Sequence, residues 1–245
     1  MDLIYNHSMK NQDPSQEQLQ SVLNLYTHGK LQQALSESSQ MLERFPNSVV
    51  LHNISGASNA ALKRFDAAID SYQQALRIKP DYAEVHNNMG SVMKDKGDLE
   101  QAIESYQQAL RIKPDYAVAH NNMAKAMKDK GDLEEAIESY KQALRIKPDY
   151  AEVHNNMGNA LSIKGDLAEA IESYKKALRI KPNFAGAYNN MANAMKDKGD
   201  LEEAIESCKQ ALKIKPDYAD AYYNMANAMK DKGDLAEAIE SYKQA

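Results

Sequence analysis

Paired asparagines are the residues whose type and spacing point most directly to chemistry. Asn87-Asn88, Asn121-Asn122, Asn155-Asn156 and Asn189-Asn190 recur at a fixed interval, and Asn224 continues the second series. An asparagine side chain carries both a donor and an acceptor, which suits a two-point contact with a peptide backbone. One such residue every ~10 Å, the usual distance between packed helices, would hold an extended chain without reading its side chains. Asn88, Asn122, Asn156, Asn190 and Asn224 are therefore the candidate peptide-binding residues. A second use is open to the same residues: one asparagine of each pair would serve only to tie neighbouring copies together. For the series Asn87, Asn121, Asn155 and Asn189 that second use is the preferred reading.

Beside them run Lys94, Lys128, Lys196 and Lys230, with Ser162 as the exception. Ser91, Lys125, Asn159, Asn193 and Asn227 stand one turn earlier. Lys94, Lys125 and Lys128 would bias a partner towards acidic segments. Asp95, Asp129, Asp197 and Asp231 follow directly, so the local field is mixed and a solvated face competes with that reading.

Other side chains suggest chemistry and fail on spacing. His52, His86, His120 and His154 form a ladder that Tyr188 and Tyr222 continue. Ligands to one metal must lie within a few ångströms of one another, and this ladder steps by about a helix-pair width, so packing is expected and no metal site. The methionines, among them Met89, Met93, Met123, Met127 and Met157, resemble a soft-metal set. Their three- and four-residue spacings instead predict flexible core filling. Cys208 replaces Tyr106, Tyr140, Tyr174 and Tyr242 and has no histidine nearby to activate it. No catalytic constellation and no glycine-rich phosphate loop is found. The chain is expected to be non-enzymatic and to need no cofactor.

Composition narrows the partners. The 245 residues are 43% hydrophobic and carry 35 acidic against 30 basic side chains, a net charge of −5. Both signs interleave along the chain, without the long basic face that nucleic acid would require. One cysteine cannot form an internal disulfide. No apolar run has the length of a signal sequence or a membrane span. A cytoplasmic protein is the default expectation, with no membrane partner.

The elements that position these residues come from one repeated segment, Ala83 to Tyr116. Pro80, Pro114, Pro148, Pro182 and Pro216 recur every 34 residues, and so do Gly97, Gly131, Gly165, Gly199 and Gly233. A fixed period of this size indicates a solenoid. Each copy encodes two helices, roughly Ala83 to Lys96 and Leu99 to Ile112 in the first. Gly97 is placed to close one helix in the left-handed conformation. Asp98 with Gln101 predicts a capping box on the next. Pro114 ends the second helix, and Asp115 offers an N-cap for the helix that follows. Both joints are short, so the helices must lie antiparallel. Leu99, Ala102, Ile103, Tyr106, Ala109 and Leu110 give the second helix an apolar stripe.

The expected organisation is a tail over 1–14, two divergent copies over 15–82, four near-identical copies over 83–218 and an incomplete copy over 219–245. The second copy lacks the Gly-Asp joint and carries Lys63-Arg64 there. The last stops inside a second helix, before its Leu and Pro. That leads to the expectation of a fragment of a longer protein, or of something else covering the last apolar face.

The spacing His86-x2-Met89-Gly90-x2-Met93, then Ala102-x3-Tyr106, then Pro114, resembles the tetratricopeptide repeat. Histidine stands for the usual Trp, and methionine for the usual Leu and Tyr. The resemblance covers Ser15 to Ala245, about six and three-quarter copies. It implies an all-α, right-handed superhelical solenoid of stacked antiparallel helix pairs. It also implies that the first helices line a concave groove, with the asparagines directed into it. The pairs are similar to the asparagine ladder in the repeat arm of O-linked N-acetylglucosamine transferases. The basic residues of chaperone-binding carboxylate clamps are replaced here by Asn87 and Asn121.

The expected function is a protein-interaction scaffold that holds an extended peptide segment of a partner. One alternative is the substrate-docking arm of a larger enzyme, a glycosyltransferase by resemblance, whose catalytic domain lies beyond Ala245. The other is a structural protein that self-assembles by end-to-end stacking. Fold alone does not choose among them.

Overall fold

The computed structural model describes residues 13–245, so most of the expected N-terminal tail lies outside the described residues. The described residues form fourteen α-helices joined by short turns. They divide into two compact units, one ending at Pro114 and the other starting at Asp115. In the first unit, α1 (Gln16–Thr27) pairs with α2 (Leu31–Arg44), α3 (Val49–Ala61) with α4 (Phe65–Ile78), and α5 (Ala83–Lys96) with α6 (Leu99–Ile112). In the second, α7 (Ala117–Lys130) pairs with α8 (Leu133–Ile146) and α9 (Ala151–Lys164) with α10 (Leu167–Ile180). The pairs α11 (Ala185–Lys198) with α12 (Leu201–Ile214), and α13 (Ala219–Lys232) with α14 (Leu235–Gln244), complete it. The members of each pair are antiparallel.

The joint inside each pair follows its glycine. Gly97, Gly131, Gly165, Gly199 and Gly233 sit at φ between 95° and 101°, where a side chain is strained. Lys63 occupies the equivalent place in the second copy and is itself forced to φ 58°. The expected capping boxes do not form. Asp98, at φ −81° and ψ 67°, is the N-cap of α6 but makes no side-chain capping bond. That backbone is not the extended geometry from which a cap side chain reaches the helix N–H groups. The carboxylates turn to lysines instead: Asp132 to Lys130 at 2.9 Å and Asp166 to Lys164 at 2.9 Å. Several of these lysines also reach the preceding copy, Lys96 to Asp66 at 2.8 Å and Lys164 to Glu134 at 3.7 Å. A side-chain capping box is present on α1, between Ser15 and Gln18.

The joint between pairs departs from expectation in the same way. Tyr116, not Asp115, is the N-cap of α7, and Tyr82, Tyr150, Phe184 and Tyr218 do the same for their helices. A lysine three residues earlier lies over each of four of these rings: Lys79 on Tyr82, Lys147 on Tyr150, Lys181 on Phe184 and Lys215 on Tyr218, at 4.8–4.9 Å from the centroid. Cation–π attraction thus closes a turn that has no side-chain cap.

The core is a seam between the helices of each pair. Tyr106, Tyr140 and Tyr174 are fully or almost fully buried in it, packed among alanines. The neighbour must be small: a Cβ on Gly158 would stand 2.6 Å from the Tyr174 ring. Cys208 fills the equivalent place in α12 and is equally buried. Successive first helices approach one another closely within each unit, α7 to α9 to α11 to α13 in the second. No second helix does so with the next among the described residues. The first helices therefore form the tighter, inner face of each stack.

Candidate functional site

The inner face of each unit carries asparagines, and within each unit they bond to each other across the copies. Asn156 Nδ2 donates to Asn121 Oδ1 at 3.1 Å, Asn190 to Asn155 at 3.1 Å and Asn224 to Asn189 at 3.0 Å. In the first unit Asn88 donates to Asn53 at 3.4 Å. Each donor lies 35 residues after its acceptor. The acceptors Asn121, Asn155 and Asn189 are buried, and the donors are half-buried. Within pairs, Asn87 donates to Asn88 and Asn121 to Asn122, both at 3.4 Å. One bond of this kind uses one of an amide's two N–H groups and none of its carbonyl. Asn156, Asn190 and Asn224 are thus oriented by the neighbouring copy through a bond that does not involve their carbonyls, whereas the Asn88 carbonyl also accepts from Asn87.

A cavity of about 380 Å³ opens on this face in the second unit. Asn189, Asn190, Asn193 and Asn224 line it, with Asn159, Ser162, Ile163, Tyr174 and Lys128. Of the eight residues expected to bind, the structure brings Asn190, Asn224 and Lys128 together here.

The lysines are not isolated charges. Lys94 pairs with Asp95 at 3.0 Å, Lys128 with Asp129 at 2.7 Å and Lys196 with Asp197 at 3.0 Å. These pairs are partly exposed and individually weak.

A second regularity accompanies the asparagine bonds. The residue one turn after each asparagine pair faces the tyrosine fifteen residues on. Tyr106 Oη donates to Ser91 at 3.1 Å, Tyr174 Oη to Asn159 at 2.7 Å and Tyr242 Oη to Asn227 at 2.7 Å. Lys125 offers no acceptor, and the Tyr140 hydroxyl is buried without a partner. Asn193 has Cys208 at the same fifteen-residue offset, and a thiol stands there in place of the donating hydroxyl. The signal was the shared 15-residue offset, legible only once a tyrosine is known to look towards the inner face.

The remaining candidates are structural. His52, His86 and His154 each place Nε2 2.9–3.0 Å from the carbonyl of Pro46, Pro80 and Pro148, six residues earlier. A carbonyl only accepts, so Nε2 carries the proton and Nδ1 is left as an acceptor. In His86 and His154 that Nδ1 is buried and unpartnered. Burial holds the His154 ring below the usual histidine pKa against the opposing bond to Pro148, and Lys176 and Arg179 lower it further. Met93, Met157, Met191, Met195 and Met225 are buried in the seam. Among the described residues no group of histidine, cysteine and carboxylate side chains could hold a metal ion. Burial pushes the Cys208 thiol up to about 12, so it carries no thiolate at neutral pH. No described helix is long and apolar enough to cross a membrane.

A larger cavity, about 640 Å³, lies between α8 and α10 over α9. Ile137, Leu144, Met157 and Leu161 make it apolar, and Lys141, Arg145, Lys176, Glu169 and Glu172 surround it with both signs. It contains none of the ladder amides.

A family model described as Cilia and flagella-associated protein 70 C-terminal domain, a tetratricopeptide-repeat domain, matches residues 8–245. No curated protein sequence matches the chain significantly. Among solved structures, MamA is similar over 64% of this chain and 91% of its own, at 27% identity and a TM-score of 0.59. YrrB, described as a tetratricopeptide-repeat protein with an unusual peptide-binding site, is similar over 72% of this chain and 91% of its own, at 20% identity and 0.59. Pseudomonas aeruginosa pilF is similar over 86% of this chain and 96% of its own, at 19% identity and 0.73.

Proposed function

The chain belongs to the tetratricopeptide-repeat family represented by the Cilia and flagella-associated protein 70 C-terminal domain, and on that premise we propose that it binds an extended peptide segment of a partner protein along its inner face. The observation that carries this reading is the row of cross-bonded asparagines. Asn156, Asn190 and Asn224 are oriented by one hydrogen bond each and keep a carbonyl for a backbone N–H. Preorganised amides bind at lower entropic cost than mobile ones. Asn88 and Asn122 extend the same series. Lys94, Lys125 and Lys128 add a preference for acidic residues in the segment. YrrB, on the same fold, is described as having a peptide-binding site, which supports the class of function without locating the site here.

The likeness to the O-linked N-acetylglucosamine transferase arm rests on asparagine spacing alone. A docking-arm role would use the same groove.

The test pans the full chain against a displayed library of unstructured peptides and measures affinity for the selected sequences. Asn122→Ala, Asn156→Ala and Asn190→Ala together should weaken binding at least about tenfold, as loss of several hydrogen bonds implies, with the helical circular dichroism retained. Unchanged affinity in the folded triple variant overturns the reading.

A further inference from the structure

The near-identical copies make their own control, and one copy differs on the inner face. Lys94-Asp95, Lys128-Asp129, Lys196-Asp197 and Lys230-Asp231 occupy the end of the first helix in four copies; Ser162-Ile163 replaces them in the fifth. Where the lysine and aspartate are present they bridge, at 2.7–3.0 Å in three of the four. In α9 that bridge is gone, and Ile163 stands 63% exposed, more than any other large hydrophobic side chain of the described residues. Single exposed aliphatics are ordinary on protein surfaces. This one lines the 380 Å³ cavity beside Asn193 and Ser162.

The second departure is in the neighbouring copy. Cys208 removes the phenol that would face Asn193, so the amide beside Ile163 receives no tyrosine bond of the kind that Tyr174 makes to Asn159. The cavity wall is otherwise uncharged except for Lys128, which is neutralised by Asp129 at 2.7 Å. An apolar contact point is therefore set among neutral carboxamides, where the other copies present an ion pair. A charged side chain set against Ile163 itself would lose hydration on an aliphatic surface that offers no counter-ion. An apolar one would cover Ile163 while the amides hold its backbone.

We propose that Ile163 is a specificity-determining position: the bound segment places an aliphatic or aromatic side chain against it, in the cavity bounded by Ser162, Asn193 and Asn224. The inference rests on the peptide-groove reading and adds to it a requirement on one residue of the partner. Acidic residues of the same segment meet Lys94 and Lys125 elsewhere, and Lys128 at the wall of this cavity.

The test restores the common pattern with Ser162→Lys and Ile163→Asp together. Four copies already carry these residues, so the variant is expected to fold and to melt close to the parent. Both proteins are panned against the same library of unstructured peptides. The proposal expects sequences selected by the parent to share one apolar position. It also expects those peptides to bind the variant about tenfold or more weakly, the scale of one lost apolar contact. Peptides selected without an apolar position, or bound equally by both proteins, overturn the specificity role and leave the groove standing. If the parent selects no peptide, the groove reading falls and this proposal falls with it.

Discussion

Asn190 hydrogen-bonds to Asn155 across two copies of the repeat, Nδ2 to Oδ1 at 3.1 Å. The two amides are chemically identical and differ in burial: Asn155 is 8% exposed, whereas Asn190 is only half-buried. The pair thus divides into an anchor and a presented group. Asn190→Ala should cost about 1–2 kcal/mol in urea unfolding, because it leaves the buried Asn155 carbonyl without its donor, and it should also weaken peptide binding. Asn155→Ala should cost less in stability, because the half-buried Asn190 amide can turn to water, and should reduce peptide affinity by less. Equal stability losses for both would remove the distinction.

Tyr140 tests the seam and its missing partner. Its hydroxyl is buried and unsatisfied, with Lys125 at the offset where other copies supply an acceptor, whereas Tyr174 donates to Asn159 at 2.7 Å. Lys125→Asn should supply the acceptor and raise stability by about 1 kcal/mol. Tyr140→Ala should lose about 3–5 kcal/mol as a large-to-small change in a packed core. Paired urea titrations check both, and a stability loss in Lys125→Asn contradicts the geometry.

Cys208 carries a prediction with an independent readout. Its thiol is buried and held near 12, so alkylation at pH 8 should be slow and limited by unfolding. Cys208→Tyr should restore the common residue, with Asn193 placed to accept its hydroxyl as Asn227 does for Tyr242 at 2.7 Å. A rise of about 1 kcal/mol is expected, the usual scale of a consensus replacement. Rapid labelling of the native protein, or a large loss on substitution, would contradict this account.

His154 predicts a pH dependence. Its folded pKa is lowered, chiefly by burial and then by Lys176 and Arg179. Between the folded value and the unfolded value near 6.5, the unfolded chain binds more protons. Stability is therefore full above the unfolded pKa and falls as pH drops through the folded one. Urea midpoints at pH 7.5 and 5.5 should differ by less in His154→Tyr, the residue type found at Tyr188 and Tyr222. An unchanged difference would show that the ring does not titrate as described.

The architecture was legible because it rests on periodicity. Prolines and glycines 34 residues apart announce helix pairs without any knowledge of side-chain contacts, and the left-handed glycines follow from the same spacing. Local chemistry was less legible. Asp98 has the type and spacing of a capping residue, but the adjacent lysines compete for its carboxylate and the cap backbone does not favour the capping bond. Spacing led to the expectation that the histidines pack, but their bond to a proline carbonyl six residues back depends on how the turn folds over the helix. The asparagine series suggested two uses, and spacing cannot separate them, since a cross-copy bond and an outward carbonyl occupy the same side chain.

The central claim is that a partner segment lies on the inner face, held by asparagines. Its most direct test is an NMR titration of the full chain with a library-selected peptide, observing asparagine side-chain amides and isoleucine and methionine methyl groups. The account predicts shifts at Asn156, Asn190 and Asn224 and at the Ile163 methyls, with Met157 and Ile137 unmoved. Shifts at Met157 and Ile137, with the asparagine amides unchanged, would place the peptide between α8 and α10 and contradict it.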